Sequence, residues 1–134
     1  MPYIDTYRDR LETRNYINDA TTTNHWLDIN KAKYDDYLSM YGEEFCLVWI
    51  CSHLPVGFDN SYVLPVRDFR SFLRPEYLRD DRRWMATITN DELVLSRPRP
   101  ALPNARKPVR EYYNAYHLLQ DAPPYVREKS IFDD

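Results

Sequence analysis

Apolar and polar positions repeat with two different periods along this chain, and each change of period marks an element. In PYIDTYRDRLETRN, Ile4, Tyr7 and Leu11 recur at helical spacing with charges between them, which predicts an amphipathic first helix. HWLDINKAKYDDYLSMY supports two readings. Trp26, Asn30, Tyr34, Tyr37, Leu38 and Tyr41 share one helical face that Gly42 would stop, whereas His25, Leu27 and Ile29 alternate as a strand does. A short strand over 25–30 running into a helix satisfies both patterns, and an all-helical 25–41 stays open beside it. EFCLVWICS is a nearly unbroken apolar run rich in β-formers, the pattern of a strand buried on both faces.

LPVGFDN then turns and SYVLPV returns as a neighbouring strand. VRDFRSFL places Val66, Phe69, Phe72 and Leu73 on one side of a short helix that must stop before Pro75. RWMATITNDELVLS reads as a hairpin turning at Asn90 and Asp91. RPRPALPNARKP holds four Pro and four Lys/Arg in twelve residues, so it predicts an extended, solvated loop and excludes a central strand. In VREYYNAYHLLQ, Val109, Tyr112, Tyr113, Tyr116 and Leu119 fall at helical intervals, predicting a last helix that ends near Asp121. The expected fold is a single mixed α+β domain over residues 1–122, a central sheet of about five strands flanked by three helices, followed by a tail at 123–134.

Composition narrows the chemistry. Twelve Tyr, five Phe and three Trp in 134 residues provide enough ring area for one core. Two Gly against ten Pro leave the turns to Asn, Asp and Pro and exclude a glycine-rich phosphate loop. No apolar run is long enough to span a membrane or serve as a signal peptide, so a cytoplasmic location is expected. Cys46 and Cys51 are separated by an odd number of residues along a strand, face opposite sides and should remain buried thiols. Cys51 and His53 could ligate a metal, but no second Cys/His pair stands at zinc-site spacing, so a structural zinc is not expected.

Net charge is −3, but it is unevenly spread. Residues 1–66 carry five Lys/Arg against ten Asp/Glu, residues 67–110 carry eleven against six, and residues 111–134 carry two against five. Ten of the eleven middle cations are Arg, whose planar fork suits phosphate. This stretch points to a nucleic-acid surface made by Arg79, Arg82, Arg83, Arg97, Arg99, Arg106, Lys107 and Arg110, unless it packs against the acidic N-terminal half and is neutralised there.

The order of helix, polar turn with Asp19, strand with Asp28, apolar strand, further strand and short helix resembles the core of the restriction-endonuclease-like, or PD-(D/E)XK, nucleases over roughly residues 3–73. The resemblance implies that Asp19 and Asp28 hold a divalent metal, Mg²⁺, and that a lysine two positions after the second acid assists the attacking water. Asn30 stands at that position, which leaves Lys33 as the nearby cation for the role. The expected function is therefore nucleic-acid binding, with divalent-metal-dependent phosphodiester cleavage if the chain is an enzyme. A non-enzymatic protein-interaction module, docking through the tyrosine-rich helix and the Pro/Arg loop, is the alternative.

Overall fold

The computed structural model describes residues 2–21, 26–54 and 59–121. They form three α-helices and seven strands, α1 (Tyr3–Glu12), β1 (Tyr16–Asp19), β2 (Leu27–Asn30), α2 (Lys31–Tyr41), β3 (Cys46–His53), β4 (Asp59–Pro65), α3 (Val66–Phe69), β5 (Arg83–Thr89), β6 (Glu92–Leu95) and β7 (Ala105–Pro108). The mixed α+β class and the number of helices agree with the sequence pattern, although the expected last helix is not among the three. The strands, however, divide into two sheets, β1-β3-β4 with β1 parallel to β3, and an antiparallel β2-β5-β6-β7.

β3 lies at the centre of the first sheet and buries Cys46 through Cys51 without a break. Its side chains alternate between two cores. Leu47, Trp49 and Cys51 join Tyr16, Tyr62 and Leu64 on the inner face, packed against Leu27, Ile29, Trp84, Ala86, Leu93 and Leu95 of the second sheet and Tyr34 and Tyr37 of α2. Cys46, Val48 and Ile50 join Ile17 and Val63 on the other face, under Tyr3, Ile4 and Leu11 of α1. Each fully buried aliphatic side chain contributes about 1.5–3 kcal/mol, so this one strand underwrites both cores. The two thiols, both free, end in different cores as odd separation on a strand requires.

Residues 25–41 resolve as strand then helix over the part described: Asn30 ends β2 and caps α2, its side-chain oxygen accepting from the Lys33 amide at 3.2 Å. Gly42 stops the helix at φ +62°, where a side chain would be strained. The 84–95 hairpin turns where predicted, with Asn90 and Asp91 both at positive φ, the type I′ requirement. β7 lies inside the Pro/Arg segment, yet only as the edge strand of its sheet, where Pro108 forfeits no central ladder bond.

The expected last helix is replaced by two 3₁₀ turns, Arg110–Tyr112 and Tyr116–Leu118. Between them Asn114 sits at φ 49° and pairs with β4, donating its amide N–H to the Ser61 carbonyl at 2.7 Å and accepting the Ser61 N–H on its side-chain oxygen at 2.8 Å. Two bonds that close the edge of a sheet outweigh the weak preference of an aromatic-rich segment for helix. β1 was not anticipated either; YIND is too short and polar at its end to announce a strand. The tail at 123–134, His25 and the turn at 55–58 lie outside the described residues.

Asn15, fully buried between α1 and β1, ties three segments together. Its amide group donates to the Leu11 and Gln120 carbonyls at 3.1 and 2.9 Å, and its oxygen accepts from the Cys46 N–H at 3.1 Å. Replacing Asn15 with Ala strands a buried amide at the start of β3, and urea denaturation should show a loss of about 2–3 kcal/mol with an unchanged m value.

Candidate functional site

Asp19 ends β1 and follows Ile17 on the α1 face of the first sheet, whereas Asn18 follows Tyr16 on the inner face and donates to the Asp28 carbonyl at 2.9 Å. Asp28 alternates with the core residues Leu27 and Ile29 and so lies on the outer face of the second sheet. There both carboxylate oxygens are held by Arg83, at 3.1 and 3.0 Å. Lys33 lies over the Tyr16 ring, 4.6 Å from its centre. The two acids that sequence order pairs thus take different partners on different faces.

Asp19 instead belongs to a polar cluster at the end of the α1 layer. Its carboxylate accepts from the Thr21 amide at 3.1 Å and lies 3.3 Å from Nε2 of His53. The other ring nitrogen of His53, Nδ1, is 3.0 Å from Asp5 Oδ2 and 3.4 Å from Asp59 Oδ1. A β-bulge makes this meeting possible. Opposite β4 the register steps from Ile50/Ser61 to Ser52/Asn60, leaving Cys51 as the extra residue. Without that extra residue the alternation of β3 would turn His53 to the inner face; with it, His53 pairs with Asp59 and both point toward α1. Asp59 has no exposed side-chain surface, and its Oδ2 accepts the Ile4 N–H at 2.5 Å, capping the first turn of α1 from a distant strand.

Burial and ionic partners pull the titrations of this cluster in opposite directions. Burial pushes the Asp59 carboxyl above its ordinary range, and the Ile4 amide only partly offsets it. Partial burial also raises Asp19, but the Thr21 and His53 hydrogen bonds together outweigh it and leave Asp19 low. For His53 burial disfavours the cation, yet Asp19 and Asp5 prevail and its pKa is raised.

The basic segment divides among several places. Arg79, Arg97 and Arg99 line an open groove of about 1020 Å³ together with Trp26, Leu78, Asp80, Asp81, Met85, Ser96 and Pro98. Trp26 is 44% exposed there, whereas Trp49 and Trp84 are core. Arg79 pairs with Asp81 at 3.5 Å, Arg97 donates to the Leu102 carbonyl at 3.1 Å and Arg99 to the Glu76 carbonyl at 3.4 Å, so each guanidinium keeps donors free for a ligand. Elsewhere the cations are committed or scattered. Arg83 is held by Asp28, Arg106 by Glu92 at 3.0 Å, and Lys107 covers the Phe69 ring. Arg82 sits in an exposed turn at φ 64°, and Arg110 in an exposed 3₁₀ turn.

Neither cysteine is built as a nucleophile. Burial pushes the Cys46 thiol up to about 12 and the Cys51 thiol up to about 11. No helix among the described residues is long and apolar enough to cross a membrane. Comparison of the chain with protein-family models, curated proteins and solved structures finds no significant match in any of the three.

Two measurements check this account. Because raised thiol pKa values keep the thiolate scarce below pH 9, iodoacetamide at pH 8 should leave both cysteines of the native protein unmodified and label both after unfolding, as read by intact mass. Asp28→Ala should leave the urea midpoint almost unchanged, since its partner is solvated, whereas Asp59→Ala removes the distant cap of α1 and should cost about 2 kcal/mol.

Proposed function

We propose that this domain binds single-stranded nucleic acid in the groove bordered by Trp26, Arg79, Arg97 and Arg99. The observation that carries the reading is the exposed indole of Trp26 in one groove with three guanidinium groups that retain free donors. A base can stack on the indole while phosphates take the arginines, the division of labour by which single strands are held without sequence readout. Asp80 and Asp81 line the same groove, so its formal charge, three Arg less two Asp, is +1. That modest charge suits a short segment held by stacking, and it does not suit a long polyanion.

The nuclease chemistry implied by the resemblance would need Asp19 and Asp28 to converge, and the proposal does not draw on them. The protein-interaction alternative loses much of its surface, because Tyr112 and Tyr116 are buried and of the clustered tyrosines Tyr113 alone is strongly exposed.

A labelled oligonucleotide titrated by anisotropy tests the proposal. With three phosphate contacts, log K should fall with log salt at a slope of about −2, and Arg97→Ala/Arg99→Ala should flatten it to about −0.7. Trp26→Ala should weaken binding about 5- to 150-fold while changing the salt slope little. Absence of binding to single-stranded DNA and RNA at low salt, with the protein folded, removes this function.

A further inference from the structure

The cluster under α1 contains a feature that ion pairing alone does not explain. Asp59 is buried completely, yet its Oδ1 has no hydrogen-bond partner, and that orphan oxygen is the atom facing His53. A buried carboxylate oxygen without a donor is costlier than a neutral group, and of the unpartnered buried atoms among the described residues, Tyr34 Oη, Trp49 Nε1, Asn60 Oδ1 and Ser61 Oγ included, it is the one that can carry a charge at neutral pH.

The surroundings of that oxygen are those of a ligand set. One atom each from Asp5, His53 and Asp59 lies within 4.8 Å of the others. If Nε2–H of His53 donates to Asp19, the lone pair of Nδ1 points between two carboxylate oxygens at 3.0 and 3.4 Å. Three such electron-rich atoms repel one another unless a proton on Nδ1 or a metal ion lies between them, and a metal ion can engage all three at once. Ligands bound tetrahedrally at about 2.0–2.1 Å from a common ion stand about 3.3 Å apart, and the two distances from Nδ1 bracket that value.

We propose that Asp5 Oδ2, His53 Nδ1 and Asp59 Oδ1 bind one zinc-class divalent ion, with Asp19 a positioning residue that fixes the tautomer of His53. Mixed imidazole and carboxylate donors suit zinc, whereas Mg²⁺ prefers an all-oxygen octahedron and holds its water. A carboxylate behind a ligating histidine is the usual support for such a ring. The site lies where the first turn of α1 meets the ends of β1, β3 and β4. Asp5 and His53 are each 32% exposed at the side chain, so the ion has a path in and an open fourth position.

The test uses the untagged full chain, stripped with chelator and titrated with Zn²⁺ in a calorimeter. Wild type should bind one ion and, at a hundred times Kd, melt on the order of 10 °C higher. Mg²⁺ should give no such rise. Asp5→Asn, which preserves shape, and His53→Ala should each lower affinity by at least about 100-fold; Asp19→Asn should lower it about 10- to 100-fold and shift the visible spectrum of the Co²⁺-loaded protein. Trp26→Ala should leave Zn²⁺ binding unchanged, which separates this site from the groove. Absence of one-to-one binding, or an unchanged affinity in folded Asp5→Asn, overturns the proposal and leaves His53 as a protonated hub of ion pairs. Should His53→Ala fail to fold, Asp5→Asn decides.

Discussion

Everything in this molecule is arranged around a strand that has no solvent face. Six consecutive buried residues from Cys46 to Cys51 force β3 to have a layer on either side, one supplied by the second sheet and α2, the other by α1 and the turns near Tyr116. Period-two alternation then assigns each residue from Cys46 to Cys51 to one core or the other. The single extra residue at Cys51 is therefore consequential: past it the two faces exchange, and His53 emerges beside Asp59 and Asp5. The place of this polar cluster is thereby set by the geometry of an apolar strand.

Polar groups enter this apolar frame only where they close it. Asn15 fastens the end of α1 to the start of β3, and Asn114 pairs with Ser61 to cover the edge of β4. Asp59 reaches the opening turn of α1 from a strand that follows it by more than fifty residues in sequence. In each case one short side chain satisfies backbone groups that would otherwise be buried alone, so these three junctions close without glycine in a chain that has two. Among the described residues the economy is incomplete: Tyr34 Oη, Trp49 Nε1, Asn60 Oδ1 and Ser61 Oγ are buried without a hydrogen-bond partner, and so is Oδ1 of Asp59, the one carboxylate oxygen among them.

Local signals were legible and long-range pairings were not. Val48, Ile50 and their neighbours announce a buried strand, Asn90-Asp91 a hairpin, and Gly42 the end of α2, because each rests on periodicity or a turn requirement within a few residues. Residues 109–119 have helical spacing too, but the spacing is overridden by the bonds of Asn114 to a strand fifty residues earlier, which no window contains. The same limit governs the site. Asp19 was visible as an acid near a strand, but its partner is His53 and not Asp28; Asp5, His53 and Asp59 are joined by topology and a bulge, and a one-residue bulge leaves no mark in an apolar run.

Charge counted by segment is likewise a poor guide to charge presented to a ligand. The middle of the chain has a surplus of five cations, yet Asp28 and Glu92 take Arg83 and Arg106, and Lys107 spends its length over Phe69. What reaches the groove is three arginines facing two aspartates, so long-range attraction there is weak and short-range contact must decide what binds. Under that condition the distinctive group is the indole of Trp26. The proposed single-stranded ligand matches that geometry, because it combines planar bases with nearby negative charge and would meet a flat apolar ring held in the open beside guanidinium groups partly anchored by backbone carbonyls.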